Sequence, residues 1–151
     1  MTTTNRDFFM YTNILFATDL LDKHKHLTER ASLIAQHFNA TLYLLHVIEL
    51  PTSYQVAQGL GFTELVNPAK DDAQTVLSLI GESINVPTSQ QFVEIGSVKD
   101  IIFKKVKELN CQLVIIGSHS THGLESLLGS TAHAITNRAP CDVLTLRAPN
   151  L

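Results

Sequence analysis

The segment from Gly117 to Thr131, GSHSTHGLESLLGST, contains the residue types from which phosphate-binding loops are built. Gly117 allows a sharp turn and lets a ligand approach the backbone closely. Gly129 precedes Ser130, where we predict the start of a helix, and the N–H groups at a helix start attract phosphate through their partial positive charge. The same residue types also cap helices and form turns without a ligand. The segment therefore indicates either a phosphate site or a purely structural turn.

A second polar segment, Ala17-Thr18-Asp19, follows the first predicted strand. Ligands of open parallel sheets bind beyond the carboxyl ends of the strands, where the strand order reverses. Both segments have chemistry suited to that position. We therefore take both as candidate parts of a ligand site.

Two other nucleotide-binding patterns fit the sequence less well. A P-loop has a lysine directly after its second glycine, whereas Gly129 is followed by Ser130. The dinucleotide pattern G-x-G-x-x-G is missing, since Gly59-Leu60-Gly61 supplies only a fragment of it. The sequence thus favours neither pattern.

A serine hydrolase is the main enzymatic alternative, because the segment crowds together Ser118, His119, Ser120 and His122. A nucleophile elbow requires the pattern G-x-S-x-G, which this segment does not supply. Closeness in sequence also says little about the geometry of a catalytic triad, which the fold determines. The sequence does not favour catalysis of this kind.

The histidines offer a weaker case for a metal site. His24 and His26 are two positions apart on a predicted helix, so their side chains point in different directions. His46 lies within an apolar strand, where a hydrogen-bonded core histidine is the usual interpretation. His119 and His122 have no supporting carboxylate or cysteine pattern, and we predict no metal site.

Alternating strands and helices position these segments. The strands are short apolar runs without alternation, as expected of parallel strands covered on both faces, and the helices have apolar residues on one face. We predict strands over 11–18, 41–48, 89–95, 112–116 and 141–147, a first helix whose apolar positions run from Leu27 to Phe38, and further helices over 68–84, 97–109 and from 130. The result is one α/β domain spanning 1–151, with about five parallel strands. We expect residues 1–10 to form a flexible N-terminal extension.

Three local features are less regular. Residues 50–67 carry a single charge, at Glu64, and are predicted to form a long loop with a short helical turn at the pocket rim. The glutamines and Glu94 of the third strand indicate a partly exposed sheet edge. Ser97 and Asp100 have the spacing of a capping box at a helix start.

The composition is typical of a folded protein, with 44% hydrophobic and 17% charged residues among 151. The net charge of −3 offers no basic field to nucleic acid or anionic lipid. No apolar run approaches the roughly 20 residues that cross a bilayer, and the amino terminus has no signal-peptide pattern. We therefore predict a cytoplasmic protein that binds neither nucleic acid nor membrane.

The chain contains two cysteines, Cys111 and Cys141, which stand 30 positions apart. Without Cys-x-x-Cys spacing they do not predict a zinc site, and they do not form the disulfide framework of a secreted domain. We predict two buried, reduced thiols.

An ordered set of short motifs runs along the chain. It consists of Ile14-Leu15-Phe16-Ala17-Thr18-Asp19, Ala31 and Ala35 of the first helix, Leu44-Leu45-His46-Val47, Gly96, Leu113-Val114-Ile115-Ile116-Gly117-Ser118-His119, Leu127-Leu128-Gly129-Ser130-Thr131 and Ala139-Pro140-Cys141-Asp142-Val143-Leu144. Each motif alone is weak, but the ordered set resembles the universal stress protein family from about Tyr11 to Arg147.

The resemblance implies a Rossmann-like fold of the adenine nucleotide alpha hydrolase type. Its sheet has five parallel strands in the order 3-2-1-4-5 with helices on both faces, and its members form homodimers, here through the last strand, Cys141 to Arg147. The order places strands 1 and 4 side by side, so that Asp19 and Gly117 would meet. One branch of the family binds ATP at this switch point, with Mg²⁺ as an expected companion.

The resemblance also assigns roles to individual residues. Ala17, Asp19 and Val47 would surround the adenine and ribose, while the phosphates would lie along Gly117 and the start of the last helix. The full candidate set for the nucleotide is Ala17, Thr18, Asp19, Val47, Ile116, Gly117, Ser118, His119, Ser120, Gly129, Ser130 and Thr131.

Three features depart from the family's pattern, whose ATP-binding form is G-x2-G-x9-G-[ST]. Ser120 stands where the second glycine is expected, and eight residues rather than nine separate it from Gly129. The segment also lacks the Lys or Arg often found there. The acidic residue usual before the fourth strand is Gln112, at a position that we interpret as structural. Gly129-Ser130 is retained, as in branches that bind ATP with a shortened loop, and this favours binding.

Two functions remain open. The first is a cytoplasmic, homodimeric stress-response module that binds ATP and hydrolyses it slowly at most, since the sequence supplies no evident general base and no metal-held water. We assign no catalytic residue. The alternative is a dimer of the same fold that binds no nucleotide and acts through protein partners, which Ser120 and the shortened loop favour.

Overall fold

The structure is a computed structural model that describes residues 10–20, 23–61, 67–118 and 130–147. Its elements are β1 (Asn13–Ala17), α1 (Lys23–His37), β2 (Thr41–Ile48), α2 (Thr52–Gly59), α3 (Asn67–Ser83), a 3-10 turn (Thr88–Gln90), β3 (Gln91–Ile95), α4 (Val98–Glu108), β4 (Leu113–Ser118), α5 (Ser130–Arg138) and β5 (Asp142–Arg147). Five parallel strands form one sheet in the order β3-β2-β1-β4-β5. The predicted fold class and strand order are confirmed.

Side chains from successive strand positions pack into two cores on opposite faces of the sheet. Ile14 and Phe16 of β1 are fully buried on the face covered by α1 and α3. Leu15, between them, is fully buried on the face covered by α4 and α5. Because both faces are covered, β1 is apolar from Ile14 to Ala17 and shows no alternation with polar residues there.

The carboxyl ends of β1, β2 and β4 lie side by side. Ala17, the last residue of β1, is in register with Leu45 of β2 and with Ile116 of β4. The chain passes from β1 through α1 to β2 on one side, whereas β4 lies on the other side. The strand order therefore reverses next to β1, where open parallel sheets bind ligands.

The predicted bounds of β2 and α3 agree with the structure to within one residue. The predicted end of the fourth strand at Ile116 is wrong, because β4 continues to Ser118 through its pairing with β5, so Gly117 and Ser118 belong to a strand and not to a loop. Among the residues that the structure describes, no helix is both long and apolar enough to cross a membrane. Residues 1–9 of the predicted extension lie outside the described residues.

The prediction for residues 50–67 is wrong in one respect, because Thr52–Gly59 forms the eight-residue helix α2. The helix begins after Pro51, whose carbonyl oxygen accepts hydrogen bonds from Tyr54 N (2.9 Å) and Gln55 N (3.1 Å). No residue of α2 is buried. A helix that buries no face needs no apolar stripe, so its sequence carries no helical periodicity to detect.

The predicted capping box at the start of α4 is also wrong in its contacts. Ser97 occupies the N-cap position, as predicted, but its side chain makes no capping hydrogen bond. Glu49 accepts a long hydrogen bond from Val98 N instead, at 3.4 Å from Oε1. The carboxylate of Asp100 lies 3.8 Å from Lys99 Nζ. A carboxylate from the β2 end has thus replaced the local cap.

Gln112 is structural, as predicted. Its Oε1 accepts hydrogen bonds from Thr12 N (2.9 Å), Thr12 Oγ1 (3.0 Å) and Asn13 N (2.9 Å). Its Nε2 donates to Asn110 O. The side chain therefore joins the beginnings of β1 and β4, at the opposite end of the sheet from the switch point.

β3 forms one outer edge of the sheet, as predicted, and Glu94 is partly exposed there. The glutamine of β3, Gln91, is buried and does not mark the edge. Lys105 of α4 covers this edge, with its Nζ 3.1 Å from Glu94 Oε1 and 3.2 Å from Glu108 Oε2. The same Nζ lies 4.3 Å from the centroid of the Phe92 ring, a cation–π contact. The five-residue edge is thus short and charged.

Both cysteines are free thiols, as predicted, with Cys111 buried and Cys141 half-buried. Burial, together with the nearby Cys141, raises the pKa of the Cys111 thiol to about 12. Burial also raises the pKa of Cys141. Both groups therefore stay protonated and unreactive near neutral pH.

We expect Gly81→Ala to destabilise the protein by about 2 kcal/mol, because the added methyl group overpacks a closed contact. A Cβ atom at position 81 of α3 would overlap the amide of Gln91 and lie 2.9 Å from Val86 O. That amide donates a buried hydrogen bond to Val86 O at 2.9 Å. Urea denaturation measures the change in the free energy of unfolding.

Gly59→Ala is the matched control, since a Cβ atom at position 59 of α2 meets nothing within 4 Å. Alanine favours a helix over glycine by up to about 1 kcal/mol, so this variant should be as stable as the parent or slightly more stable. Equal stability of the position-81 variant and the parent would contradict the packing described here.

Candidate functional site

The candidate site lies at the carboxyl ends of β1, β2 and β4. Gly117 and Ser118 complete β4, in register with Leu146 and Arg147 of β5. Since Ala17 is in register with Ile116, the β1 end is next to the β4 residues that precede the glycine-rich segment. The structure thus brings the first polar segment to the start of the second.

Thr18 anchors the turn that follows β1. It is only 5% exposed, and its N–H donates to Leu45 O at 2.8 Å, which extends the ladder between β1 and β2. Its Oγ1 accepts a hydrogen bond from Leu20 N at 3.1 Å. Leu20 has φ of 65°, a left-handed conformation that is uncommon for leucine. Strained backbone of this kind is concentrated at functional sites.

Asp19 lies between these two fixed residues. The residue is partly exposed, while its Oδ2 atom is shielded from solvent. Thr18 on one side and Leu20 on the other hold the backbone that carries it. The carboxylate is therefore presented by a constrained turn at the edge of the sheet where a ligand is expected.

His46 reaches this turn from β2. Its Nδ1 lies 2.8 Å from Thr18 O, within hydrogen-bonding distance. The prediction that His46 is a hydrogen-bonded histidine is confirmed, but the sequence did not reveal its partner. Val47, the next residue, is partly buried against the core formed with α4 and α5.

An open groove of about 630 Å³ adjoins the ends of β2 and β3. Gln55 and Gln58 of α2 line one side of it, and Glu49, directly after β2, lines another. Its remaining lining residues are Leu50, Ile95, Gly96 and Ser97. One carboxylate, two amides and one hydroxyl favour a neutral or cationic group that donates hydrogen bonds.

None of the predicted nucleotide residues that the structure describes lines this groove, so the place of residues 50–67 at the rim of the nucleotide pocket stays a prediction. The sequence did not reveal Glu49, Gln55 and Gln58 as lining residues of the groove. One signal could have identified the first of them, because Glu49 follows β2 as Asp19 follows β1. The two glutamines belong to the helix that was interpreted as a loop.

The rest of the candidate set is only partly described. His119, Ser120 and Gly129 lie outside the described residues. Ser130 begins α5, as predicted, and Thr131 follows it, half-buried. Contacts between these residues and a phosphate stay predictions.

The described residues contain no group of three or more His, Cys, Asp and Glu side chains that could hold a metal ion. Ser118 belongs to β4, whereas the other residues of the hydrolase alternative, His119, Ser120 and His122, lie outside the described ranges.

Comparison with known proteins identifies the family of this fold. The sequence profile described as "Universal stress protein family" matches residues 10–147. The chain belongs to the universal stress protein family. Universal stress protein A homolog 1 of Coxiella burnetii (strain RSA 493 / Nine Mile phase I) is 36% identical over 141 residues, covering 90% of this chain and 96% of that protein. The family resemblance drawn from the sequence is therefore confirmed.

Solved structures of other family members have the same fold. A universal stress protein in complex with cAMP matches with a TM-score of 0.66 at 18% identity, covering 92% of this chain and 98% of that one. Universal stress protein UspA from Lactobacillus plantarum matches with a TM-score of 0.60 at 27% identity, covering 91% and 98% of the two chains.

Proposed function

We propose that this universal stress protein binds ATP at the switch point between β1 and β4, as a cytoplasmic, homodimeric stress-response module. The observation that carries the proposal is the constrained turn after β1. It presents Asp19 at the carboxyl edge of the sheet, next to the β4 end that leads into the glycine-rich segment.

The adenosine part of the ligand would lie against Ala17, Asp19 and Val47. An ionised carboxylate only accepts hydrogen bonds, which suits the hydroxyl groups of a ribose. Ala17 and Val47 are partly buried and apolar, and they would form the wall against which a base packs. These residues come from neighbouring strands held in register, so the wall exists before the ligand arrives.

The phosphates would lie between the end of β4 and the start of α5. Gly117 offers the close approach, and the first N–H groups of α5, with the hydroxyls of Ser130 and Thr131, supply donors. The remaining residues assigned to this stretch are Thr18, Ile116, Ser118, His119, Ser120 and Gly129. Because the segment from Gly117 to Thr131 contains no Lys or Arg, Mg²⁺ is the cation expected to balance the phosphate charge.

We propose binding without rapid turnover. Phosphoryl transfer needs a positioned water or base together with cations at the phosphates. The sequence has no lysine after Gly129 and no arginine in the segment. The nucleotide would therefore act as a regulatory ligand, and its binding would change the interaction of the dimer with its protein partners.

The proposal is tested by what the purified protein carries and binds. Freshly purified protein is heat-denatured and its supernatant chromatographed, after which emptied protein is titrated calorimetrically with ATP and, separately, with cAMP. We expect a released adenine nucleotide and a binding heat with ATP. Tighter binding of cAMP than of ATP would contradict the triphosphate assignment.

The competing function is a dimer that acts through protein partners without a nucleotide. Ser120, where the family's ATP-binding pattern has glycine, favours it. If no nucleotide is released and millimolar ATP gives no binding heat, the proposal of ATP binding is rejected and the nucleotide-free function is favoured.

A further inference from the structure

One side chain connects two walls of the proposed nucleotide site. His46 belongs to β2, and its Nδ1 lies 2.8 Å from the carbonyl oxygen of Thr18 in the turn after β1. A carbonyl oxygen only accepts hydrogen bonds, so Nδ1 must carry the proton in this contact. The fold therefore selects the Nδ1–H form of the ring.

The contact adds to the hydrogen bonds that already constrain the turn after β1. The β1 strand ends at Ala17, and the hydrogen bond from Thr18 N to Leu45 O extends its pairing with β2 by one step. Beyond it, Leu20 has a left-handed backbone conformation and is no longer part of the strand. The His46 ring thus fixes the orientation of the peptide group that joins Thr18 to Asp19.

The hydrogen bond between His46 and Thr18 joins two residues that are each followed by a predicted adenosine-binding residue. Successive residues of a strand point to opposite faces, so Val47 faces the core with α4 and α5 while His46 reaches the turn. Asp19 directly follows the residue whose carbonyl His46 holds. This hydrogen bond therefore links the turn that carries Asp19 to the strand that carries Val47, the two sides of the proposed adenosine pocket.

We propose that His46 is a positioning residue of the nucleotide site, which holds the turn carrying Asp19 through its Nδ1–H bond to Thr18 O and so determines ATP affinity. The inference rests on the proposed function. A histidine that only fills space in the core would contribute through the volume or polarity of its side chain. Here the effect on ATP affinity is assigned to one ring nitrogen, Nδ1.

The test compares two substitutions of nearly equal polarity. In asparagine the amide nitrogen is bonded to Cγ, as Nδ1 is in histidine, whereas the glutamine amide nitrogen lies one bond further out, like Nε2. We expect His46→Asn to bind ATP within about threefold of the parent and His46→Gln to bind about tenfold more weakly, the effect of one lost hydrogen bond. His46→Phe, which keeps a ring without a donor, should also lose about tenfold.

Dissociation constants are measured by calorimetry well below the melting temperature of each nucleotide-free variant. Every variant is then folded, so a lowered stability alone does not change its dissociation constant. His37→Phe is the control, because His37 is exposed at the end of α1. If the phenylalanine variant does not fold, the asparagine and glutamine variants decide the question. A long-range ¹H–¹⁵N spectrum of the parent supplies a readout that needs no nucleotide, and it should show Nδ1 protonated.

The outcomes separate this inference from the proposed function. A parent protein that binds no nucleotide overturns the function itself. A parent that binds ATP, with His46→Gln and His46→Phe binding equally well, overturns only the role of His46. Loss of binding in folded His46→Asn, or a ring protonated at Nε2 alone, also overturns it.

Discussion

Gly129→Asp is expected to abolish ATP binding, with a dissociation constant raised at least about 100-fold. In the proposed site this substitution puts a carboxylate beside the phosphates. Two unit charges 4 Å apart repel by about 4 kcal/mol at an effective dielectric constant of about 20, which corresponds to roughly 1000-fold in affinity. Thermal denaturation with and without ATP checks the result, because a ligand raises the melting temperature only of a protein that binds it.

Two control variants distinguish the effect of a charge at position 129 from the effect of a larger side chain there and from the effect of an added charge elsewhere on the protein. Gly129→Ala adds a side chain without charge and should weaken binding much less. Asn137→Asp adds the same charge at an exposed position near the other end of α5 and should leave binding unchanged. If ATP raised the melting temperature of the Gly129→Asp variant as much as that of the parent, the phosphates would not lie at this helix start.

Thr145→Pro is expected to convert the proposed homodimer into a folded monomer. β5 is an outer strand of the sheet, and Asp142 N donates to Gln112 O at 3.2 Å, towards β4. Because the N–H direction alternates along a strand, Leu144 also points its N–H towards β4 and Thr145 points its N–H outward. Proline at 145 removes an outward donor and obstructs the edge, while the ladder to β4 stays complete.

The control moves the proline by one residue. Leu144→Pro removes an N–H that faces β4, so it should destabilise the protomer itself, which thermal denaturation detects. Analytical ultracentrifugation compares the mass of each folded variant with that of the 16.7 kDa protomer. A Thr145→Pro protein that still sediments at twice this mass would show that the last strand is not the dimer interface.

The sheet was predictable from sequence because its strands are buried on both faces. Each strand must then be a continuous apolar run, and the run at 41–48 coincides with β2. The β3 edge was recognisable from Glu94, a partly exposed charge in a strand that has a neighbour on one side only, whereas the glutamine of that strand, Gln91, is buried. α2 was not predictable, because a helix that buries nothing carries no periodic signal.

Some residues of the candidate site could also be predicted from the sequence, whereas contacts between distant residues could not. Asp19 was identifiable because it comes soon after an apolar strand, and Gly117 because it ends the apolar run of another. The strand order and the register of Ala17 with Ile116 bring the ends of these two runs side by side. The contact of His46 with Thr18 could not be predicted from the sequence, because it joins residues 28 positions apart and depends on the register of β1 with β2. The capping of α4 by Glu49 was missed for the same reason, since local spacing favoured Ser97.

The charged character of the β3 edge has a consequence for assembly. An open sheet has two outer strands, and pairing β5 of one copy with β3 of the next would be a head-to-tail contact that builds a ring or an open filament. The ion pair between Lys105 and Glu94 beside that five-residue strand opposes such head-to-tail growth. In the proposed homodimer, pairing of β5 with its own copy would use up the β5 edge in both partners around a two-fold axis, and the assembly would close at two subunits.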